Sequence, residues 1–445
     1  MFGFKLLGNT KIPHRKNTAD MPAVKMTPPT KVLLPMVQHI GAPATPIVKF
    51  GDEVKLGQKI AEANSPVSSP IYASVSGKVG KIESYLRPDG RIVPAVSIVS
   101  DGNMTVLEGI TPPVVNDLDG FIAAIRESGL VGLGGAGFPT SVKLSAIKGG
   151  LIDTVVVNAA ECEPYITSDT RTMIDNADAV AYGTALLEKY IPSLTRIVIG
   201  IESNKQQAIE VMKTVFKDDP TVEVAVLPSK YPQGAEKVIV HNTTGRVVPE
   251  GKLPADVGVL VVNVSSLAFI ADYFTTGMPL VERTLTLDGS AVANPMNVTV
   301  PIGTPICEVI DFAGGLKDEV GKVLYGGPMM GIPVRSLDEP VIKTTNAITV
   351  LSRADSIKGD AINCIHCGRC VSACPIGLNP TAFSRALNIE SREDKVQRLE
   401  DSKIGLCMEC GCCSFVCPSL RPLVQNNRLA KAVVREYRDH LKDKK

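Results

Sequence analysis

The chain has 445 residues, room for about three domains, and its 44% hydrophobic and 21% charged residues are those of a globular protein, not a disordered one. Its 47 Lys/Arg against 46 Asp/Glu leave a net charge of +1, without the basic excess that neutralising nucleic-acid phosphates requires, so no nucleic-acid partner is expected. No uninterrupted apolar run reaches the roughly 18 residues a membrane span needs, and the first residues hold no apolar core long enough for a signal peptide.

Residues 1–112 are rich in Pro, Val and Gly. Residues 47–60 alternate apolar and polar across a Gly51-Asp52 turn, and residues 71–79 repeat the theme, which predicts short strands in a small β-barrel or sandwich. The pattern resembles the lipoyl-type barrel-sandwich hybrid. Lys59 lies beyond the Gly-Asp turn instead of at a hairpin tip, so a carrier function is not expected.

Residues 113–278 change character. Helical spacing over 118–130 and 204–216 alternates with apolar strands at 154–158, 196–200, 222–227 and 257–264, which predicts an α/β sheet. Between the first helix and the first strand lies Gly132-Leu133-Gly134-Gly135-Ala136-Gly137-Phe138. A dinucleotide fingerprint requires a strand immediately before such a loop, and here a helix precedes it. The glycines still let backbone N–H groups approach a phosphate, and Pro139-Thr140 can open a helix whose N-terminus favours anions.

Residues 279–352 return to short strands and turns, with Cys307 read as a core residue in a strand-like segment. Residues 353–427 carry the cysteines, with a helical stretch at 383–387 between the two runs. Residues 428–445 predict a charged helical tail with seven Lys/Arg against three Asp/Glu.

The cysteines carry the strongest signal. Of 11, nine lie between Cys364 and Cys417, a crowding that points to metal in a cytosolic protein and not to a disulfide framework. Cys364-x2-Cys367-x2-Cys370-x3-Cys374-Pro375 and Cys407-x2-Cys410-x2-Cys413-x3-Cys417-Pro418 share one spacing. Three cysteines two apart wrap three corners of an iron–sulfur cube, and the fourth ligates the other cube. The expected sets are Cys364, Cys367, Cys370 and Cys417 for the first [4Fe–4S] cluster, and Cys407, Cys410, Cys413 and Cys374 for the second. Structural zinc needs only four thiolates in paired CxxC units, which two complete runs exceed. Cys412 is an extra thiol.

Further segments follow the glycine loop: Val157-Asn158-Ala159-Ala160-Glu161-Cys162-Glu163, Tyr231-Pro232-Gln233-Gly234-Ala235-Glu236 and Val262-Asn263-Val264-Ser265-Ser266. In this order they resemble the FMN- and NADH-binding subunit of respiratory complex I. The resemblance implies that Gly132, Gly134, Gly135, Ala136, Lys143, Asn158, Glu161, Cys162, Tyr231, Gly234, Asn263 and Ser266 line FMN, and that Phe138, Glu163 and Glu236 face NADH. Leu133 and Ala160 depart from it, standing where that family has arginine and aspartate.

Gln38-His39-Ile40-Gly41-Ala42-Pro43 in the barrel, a β-grasp (SLBB-like) module from residue 281 and Tyr325-Gly326-Gly327-Pro328-Met329-Met330-Gly331 complete an order similar to the RnfC family, the C subunits of the Rnf complexes. This likeness spans residues 1–427. It implies a multidomain α/β plus all-β chain: a barrel-sandwich hybrid (1–112), an α/β FMN/NADH-binding domain (113–278), the β-grasp module (279–352), an α-helical double-cluster ferredoxin domain (353–427) and the tail. The implied activity is electron exchange between NAD(H), FMN and two [4Fe–4S] clusters, coupled to ferredoxin oxidation or reduction. The implied place is peripheral, on the cytoplasmic side of the cell membrane. The implied partners are the other members of an ion-translocating complex, including an iron–sulfur subunit that exchanges electrons with ferredoxin. Two alternatives stay open: a soluble NADH-dependent flavin and iron–sulfur reductase, and a cluster-only relay with a degenerate flavin site.

Overall fold

The structure is a computed structural model describing residues 8–88, 90–135, 137–356 and 359–443. In the first module, period-2 alternation puts Val32, Leu34, Val96 and Ile98 inside with no exposed surface. Two antiparallel sheets enclose that core. One runs Lys31–Pro35, Ile92–Ser100, Gly77–Leu86, Glu53–Val54, the other Thr45–Pro46, Lys59–Glu62, Ile71–Tyr72. Lys59 lies within a strand and pairs with Glu127 at 2.6 Å.

The valine-rich runs at 154–159 and 259–263 form neighbouring strands of a four-stranded parallel sheet, ordered Val222–Leu227, Arg196–Glu202, Thr154–Ala159, Val259–Asn263. Near-continuous apolar strands suit a parallel sheet covered on both faces. Helix Val264–Thr276 packs beside Ala177–Tyr190, and Phe121 of Leu118–Glu127 stacks on Tyr190 with ring centroids 4.9 Å apart. Strand order reverses between Thr154–Ala159 and Val259–Asn263, where the register pairs Asn158 with Asn263. A crevice outside the carboxyl ends at such a switch point is where open α/β sheets take ligands.

A six-stranded mixed sheet follows, with its own core around Leu285, Val298, Ile306 and Ile348. Its edge strand, Val24–Lys25, comes from the N-terminal segment and runs parallel to Met296–Pro301. Residues 8–25 therefore leave the barrel and run past the α/β unit, where Thr10 and Tyr231 exchange backbone hydrogen bonds of 2.8 and 3.1 Å. Cys307 lies on helix Ile306–Phe312, half-buried, and not on a strand as its sequence context suggests. Pro305 caps that helix, whose seven residues are too few to show a helical period.

The C-terminal unit packs helices Pro380–Ala386, Arg392–Asp401 and Leu423–Asp443 around Phe383, Leu399 and Ala430. Among the described residues no helix is long and apolar enough to cross a membrane.

Candidate cofactor sites

At the switch point a cavity of about 350 Å³ opens over Asn158 and Asn263. Thirteen of the fifteen residues expected at a flavin and nicotinamide site line it. Ser266 is instead buried behind the glycine loop, where its Oγ accepts the Leu133 N–H at 3.0 Å. Ala136 lies outside the described residues.

The loop is crowded at one glycine and open at the next. A Cβ on Gly134 would sit 2.3 Å from Asn263 Nδ2, whereas one on Gly135 would meet nothing within 4 Å. Asn263 is held in turn, donating to Asp169 Oδ2 at 2.7 Å. The buried Arg283 donates to the Leu133 carbonyl at 3.0 Å, and burial lowers its guanidinium to about 10. Lys143 Nζ bridges Glu236 Oε1 at 2.6 Å and the Val261 carbonyl at 3.1 Å. On the opposite wall, Asn158 donates to the Gly234 carbonyl at 2.8 Å, and a Cβ on Gly234 would strike the Ala160 carbonyl at 2.4 Å.

The acidic residues divide their work. Glu161 is buried and accepts from Asp169 N and Thr170 Oγ1, both at 2.7 Å, holding the start of helix Ser168–Asp175. Glu163 accepts from Met330 N at 2.8 Å, Met329 N at 3.1 Å and the Tyr231 hydroxyl at 3.3 Å. Burial pushes its carboxyl up to about 7. Cys162 accepts the Gly234 N–H at 3.5 Å, and burial pushes its thiol up to about 12.

Sequence reasoning missed Lys16, whose Nζ donates to the carbonyls of Glu161, Glu163 and Ile166 at 2.8, 2.8 and 2.6 Å. It also missed Asp169, Met330 and Met408, which line the cavity.

Cys374, Cys407, Cys410 and Cys413, the expected second set, line one small cavity with Cys412 and Asn427. Met408 lines both this cavity and the larger one. The two cysteine runs are structural repeats. Left-handed residues recur at His366 and Glu409, at Gly368 and Gly411, and at Gly377 and Leu420. Short helices Arg369–Ser372 and Cys412–Phe415 follow each first turn. In the first set Cys367 is exposed, and burial followed by the neighbouring Cys417 and Cys364 pushes the Cys370 thiol up. Among the described residues no three such side chains converge to hold a single metal ion. Thiols ringing a hole suit a cube, whose iron corners are separate.

Four families match in order. They are the RnfC barrel sandwich hybrid domain at residues 4–103, the Nuo51 FMN-binding domain at 125–272, the SLBB domain at 284–333 and the 4Fe-4S dicluster domain at 360–428. The C subunit of the proton-translocating ferredoxin:NAD(+) oxidoreductase complex of Clostridium ljungdahlii is 44% identical, covering 83% of this chain and 81% of the relative. Its Na(+)-translocating counterpart from Acetobacterium woodii is 45% identical over 84% of this chain and 85% of its own. The C subunit of the ion-translocating oxidoreductase complex of Rhodobacter capsulatus is 38% identical over 88% and 75%. Among solved structures, an NAD+-reducing [NiFe]-hydrogenase in the air-oxidized state aligns with a TM-score of 0.52 at 17% identity, over 71% of this chain and 61% of that one, a likeness of fold.

Proposed function

The chain belongs to the RnfC family, the C subunits of ion-translocating ferredoxin:NAD(+) oxidoreductase complexes, and from that premise we propose that it is the NAD(H)-facing electron-transfer member of such a complex. Its cofactors are FMN and two [4Fe–4S] clusters, in keeping with the FMN-binding and dicluster domains it contains. A flavin takes the two electrons of a hydride from NADH and releases them singly, the conversion that one-electron clusters require.

The residues fit that chemistry. Gly134 and Gly135 bring backbone to the cavity without side chains, and Lys143 supplies positive charge beside it. Asn158 and Asn263, each fixed by a second hydrogen bond, offer polar groups at the strand ends. Phe138, Glu163 and Glu236 form the wall proposed to face the nicotinamide. The single observation that carries the reading is Met408, which lines both the flavin cavity and the second thiol cavity. One electron route then runs from the cavity to the cluster of Cys374, Cys407, Cys410 and Cys413, and on to that of Cys364, Cys367, Cys370 and Cys417. The exposure of Cys367 supports an outer cluster near the surface, where the iron–sulfur subunit that exchanges electrons with ferredoxin would receive them. In this reading the chain sits peripherally, on the cytoplasmic side of the membrane.

The test is anaerobic reconstitution with iron, sulfide and FMN, removal of free flavin, and titration with NADH under visible and low-temperature EPR spectroscopy. Flavin bleaching with appearance of reduced-cluster signals is expected. Clusters that dithionite reduces but NADH does not, in a protein that retains no flavin, would overturn the reading in favour of a relay.

A further inference from the structure

The repeat of the two cysteine runs puts Asn427, on Leu423–Asp443, in the place that Ser384, on Pro380–Ala386, holds after the first run. The two residues behave differently. Ser384 Oγ donates to the Pro380 carbonyl at 3.4 Å and accepts from Asn426 Nδ2 at 3.0 Å, so its hydrogen bonds stay within the helical packing. Asn427 is 2% exposed, lines the second thiol cavity, and directs Nδ2 at Cys407 Sγ (3.4 Å) and Cys413 Sγ (3.9 Å). Its Oδ1 is buried without a partner. A metal-bound thiolate has no proton to give, so the sulfurs select the Nδ2 face of the amide and leave Oδ1 unbonded.

Backbone N–H groups also reach ligand sulfurs, among them His366 to Cys364 at 3.4 Å and Leu378 to Cys374 at 3.3 Å. The side-chain amide is a donor to sulfur that Ser384, the counterpart after the first run, does not supply. Lys431 reinforces the same side, its Nζ donating to the Cys407 carbonyl at 3.2 Å and to Glu409 at 2.6 Å.

We propose that Asn427 is a positioning residue that raises the reduction potential of the second cluster, and only of that cluster, by donating its amide hydrogens to the sulfurs of Cys407 and Cys413. Reduction adds one electron, and therefore one negative charge, to the cluster and its thiolates. An N–H donor on a ligand sulfur stabilises the reduced state more than the oxidised one. The effect falls on the cluster beside the flavin cavity, making it the readier acceptor of the first electron. This inference rests on the two-cluster reading, which the iron and acid-labile sulfide content of the unaltered chain tests separately.

The experiment is an EPR-monitored potentiometric titration of the reconstituted full chain and of N427L and N427D. Both variants are expected to keep the wild-type iron content while the midpoint of one cluster moves to more negative potential and the other stays put. The larger move is expected in N427D, which replaces the donor with a charged acceptor. Unchanged midpoints in both variants, or equal shifts in both clusters, would overturn the proposal. If neither variant holds its clusters, the unaltered chain labelled with 15N-asparagine decides. Electron–nuclear double resonance on the reduced second cluster should then show a coupled asparagine nitrogen, and its absence refutes the assignment.

Discussion

Tyr231 donates its hydroxyl to the carbonyl oxygen of Cys410 at 2.7 Å, tying the wall of the proposed flavin cavity to the loop proposed to wrap the second cluster. The ring is 1% exposed, and the same hydroxyl lies 3.3 Å from Glu163 Oε1. Backbone bonds from Thr10 hold the residue from the far side. Y231F would leave the Cys410 carbonyl without this donor, at a cost of about 1–2 kcal/mol. The expected result is full iron and flavin content, a lower thermal midpoint, and slower cluster reduction after flavin reduction in stopped-flow traces. Traces identical to wild type would show that the bond does not set the spacing between the two sites.

The glycine loop separates crowding from occlusion. In G134A the new Cβ meets Asn263 Nδ2, which Asp169 prevents from moving freely. In G135A it meets nothing within 4 Å, so the fold has no reason to change. Both variants should lose flavin affinity by tenfold or more, about 1.4 kcal/mol, with iron content unchanged. Only G134A should also lower the melting temperature. Flavin retention in G135A equal to wild type would place the cofactor elsewhere.

Glu163 predicts a pH signature. Burial raises its carboxyl from the ordinary 4.5 to about 7. Between those values the folded chain holds a proton that the unfolded chain releases, so this group's contribution to stability falls as pH rises through the window and levels off above about 7. E163Q is neutral throughout. The thermal midpoint of wild type relative to E163Q should therefore be most favourable near pH 5 and decline toward pH 8. A difference independent of pH would mean the carboxyl titrates normally.

Lys343 gives the opposite slope. It is 1% exposed, and Nζ donates to Ser69 Oγ, the Pro70 carbonyl and the Gly129 carbonyl at 3.0, 2.6 and 2.7 Å, joining three modules with no carboxylate among these partners. Burial lowers it from 10.5 to about 7. The unfolded chain then binds more protons between those values, so this contribution to stability grows as pH rises from about 7. K343M removes that slope and takes the donor from the Pro70 carbonyl, while the Gly129 carbonyl keeps the Ser69 hydroxyl at 2.9 Å, a loss of about 1–3 kcal/mol near pH 8 measured by calorimetry. A neutral or stabilising substitution would show that the acceptors find other donors.

What can be read from the chain alone is what is local in it. The cysteine runs, the glycine loop and the valine strands are complete within a few residues, so spacing and period expose them. Lys16 reaches the loop at Glu161 across 145 residues, Arg283 reaches Leu133 across 150, and Lys343 reaches Gly129 across 214. Such contacts exist only after the modules have packed, and a lone Lys or Arg in a polar stretch carries no sign of them. Asn427 is an intermediate case. It follows the second cysteine run closely, yet only the fold of Leu423–Asp443 turns its amide toward sulfur. Cys307 escapes a sequence reading because a short helix opened by proline has the look of a strand.

The proposed crossed ligation of the clusters can be tested by single substitutions. Cys374 closes the first run in sequence, but in space it lines the cavity of Cys407, Cys410 and Cys413 from the second run. Its thiol accepts the Leu378 N–H at 3.3 Å, which fixes its direction. Cys417 closes the second run and packs with Cys370 of the first. C374S should therefore damage the cluster beside the flavin cavity, and C417S the outer one. Each variant is expected to lose up to half of the bound iron and the EPR signal of one cluster. C374S should also block NADH-driven reduction of the remaining cluster while dithionite still reduces it, because the proposed route places the inner site between that cluster and the flavin. C417S should leave NADH-driven reduction of the inner cluster intact. The reverse pattern would mean that each run ligates its own cluster, with Cys417 in place of Cys374 beside the cavity that Met408 borders.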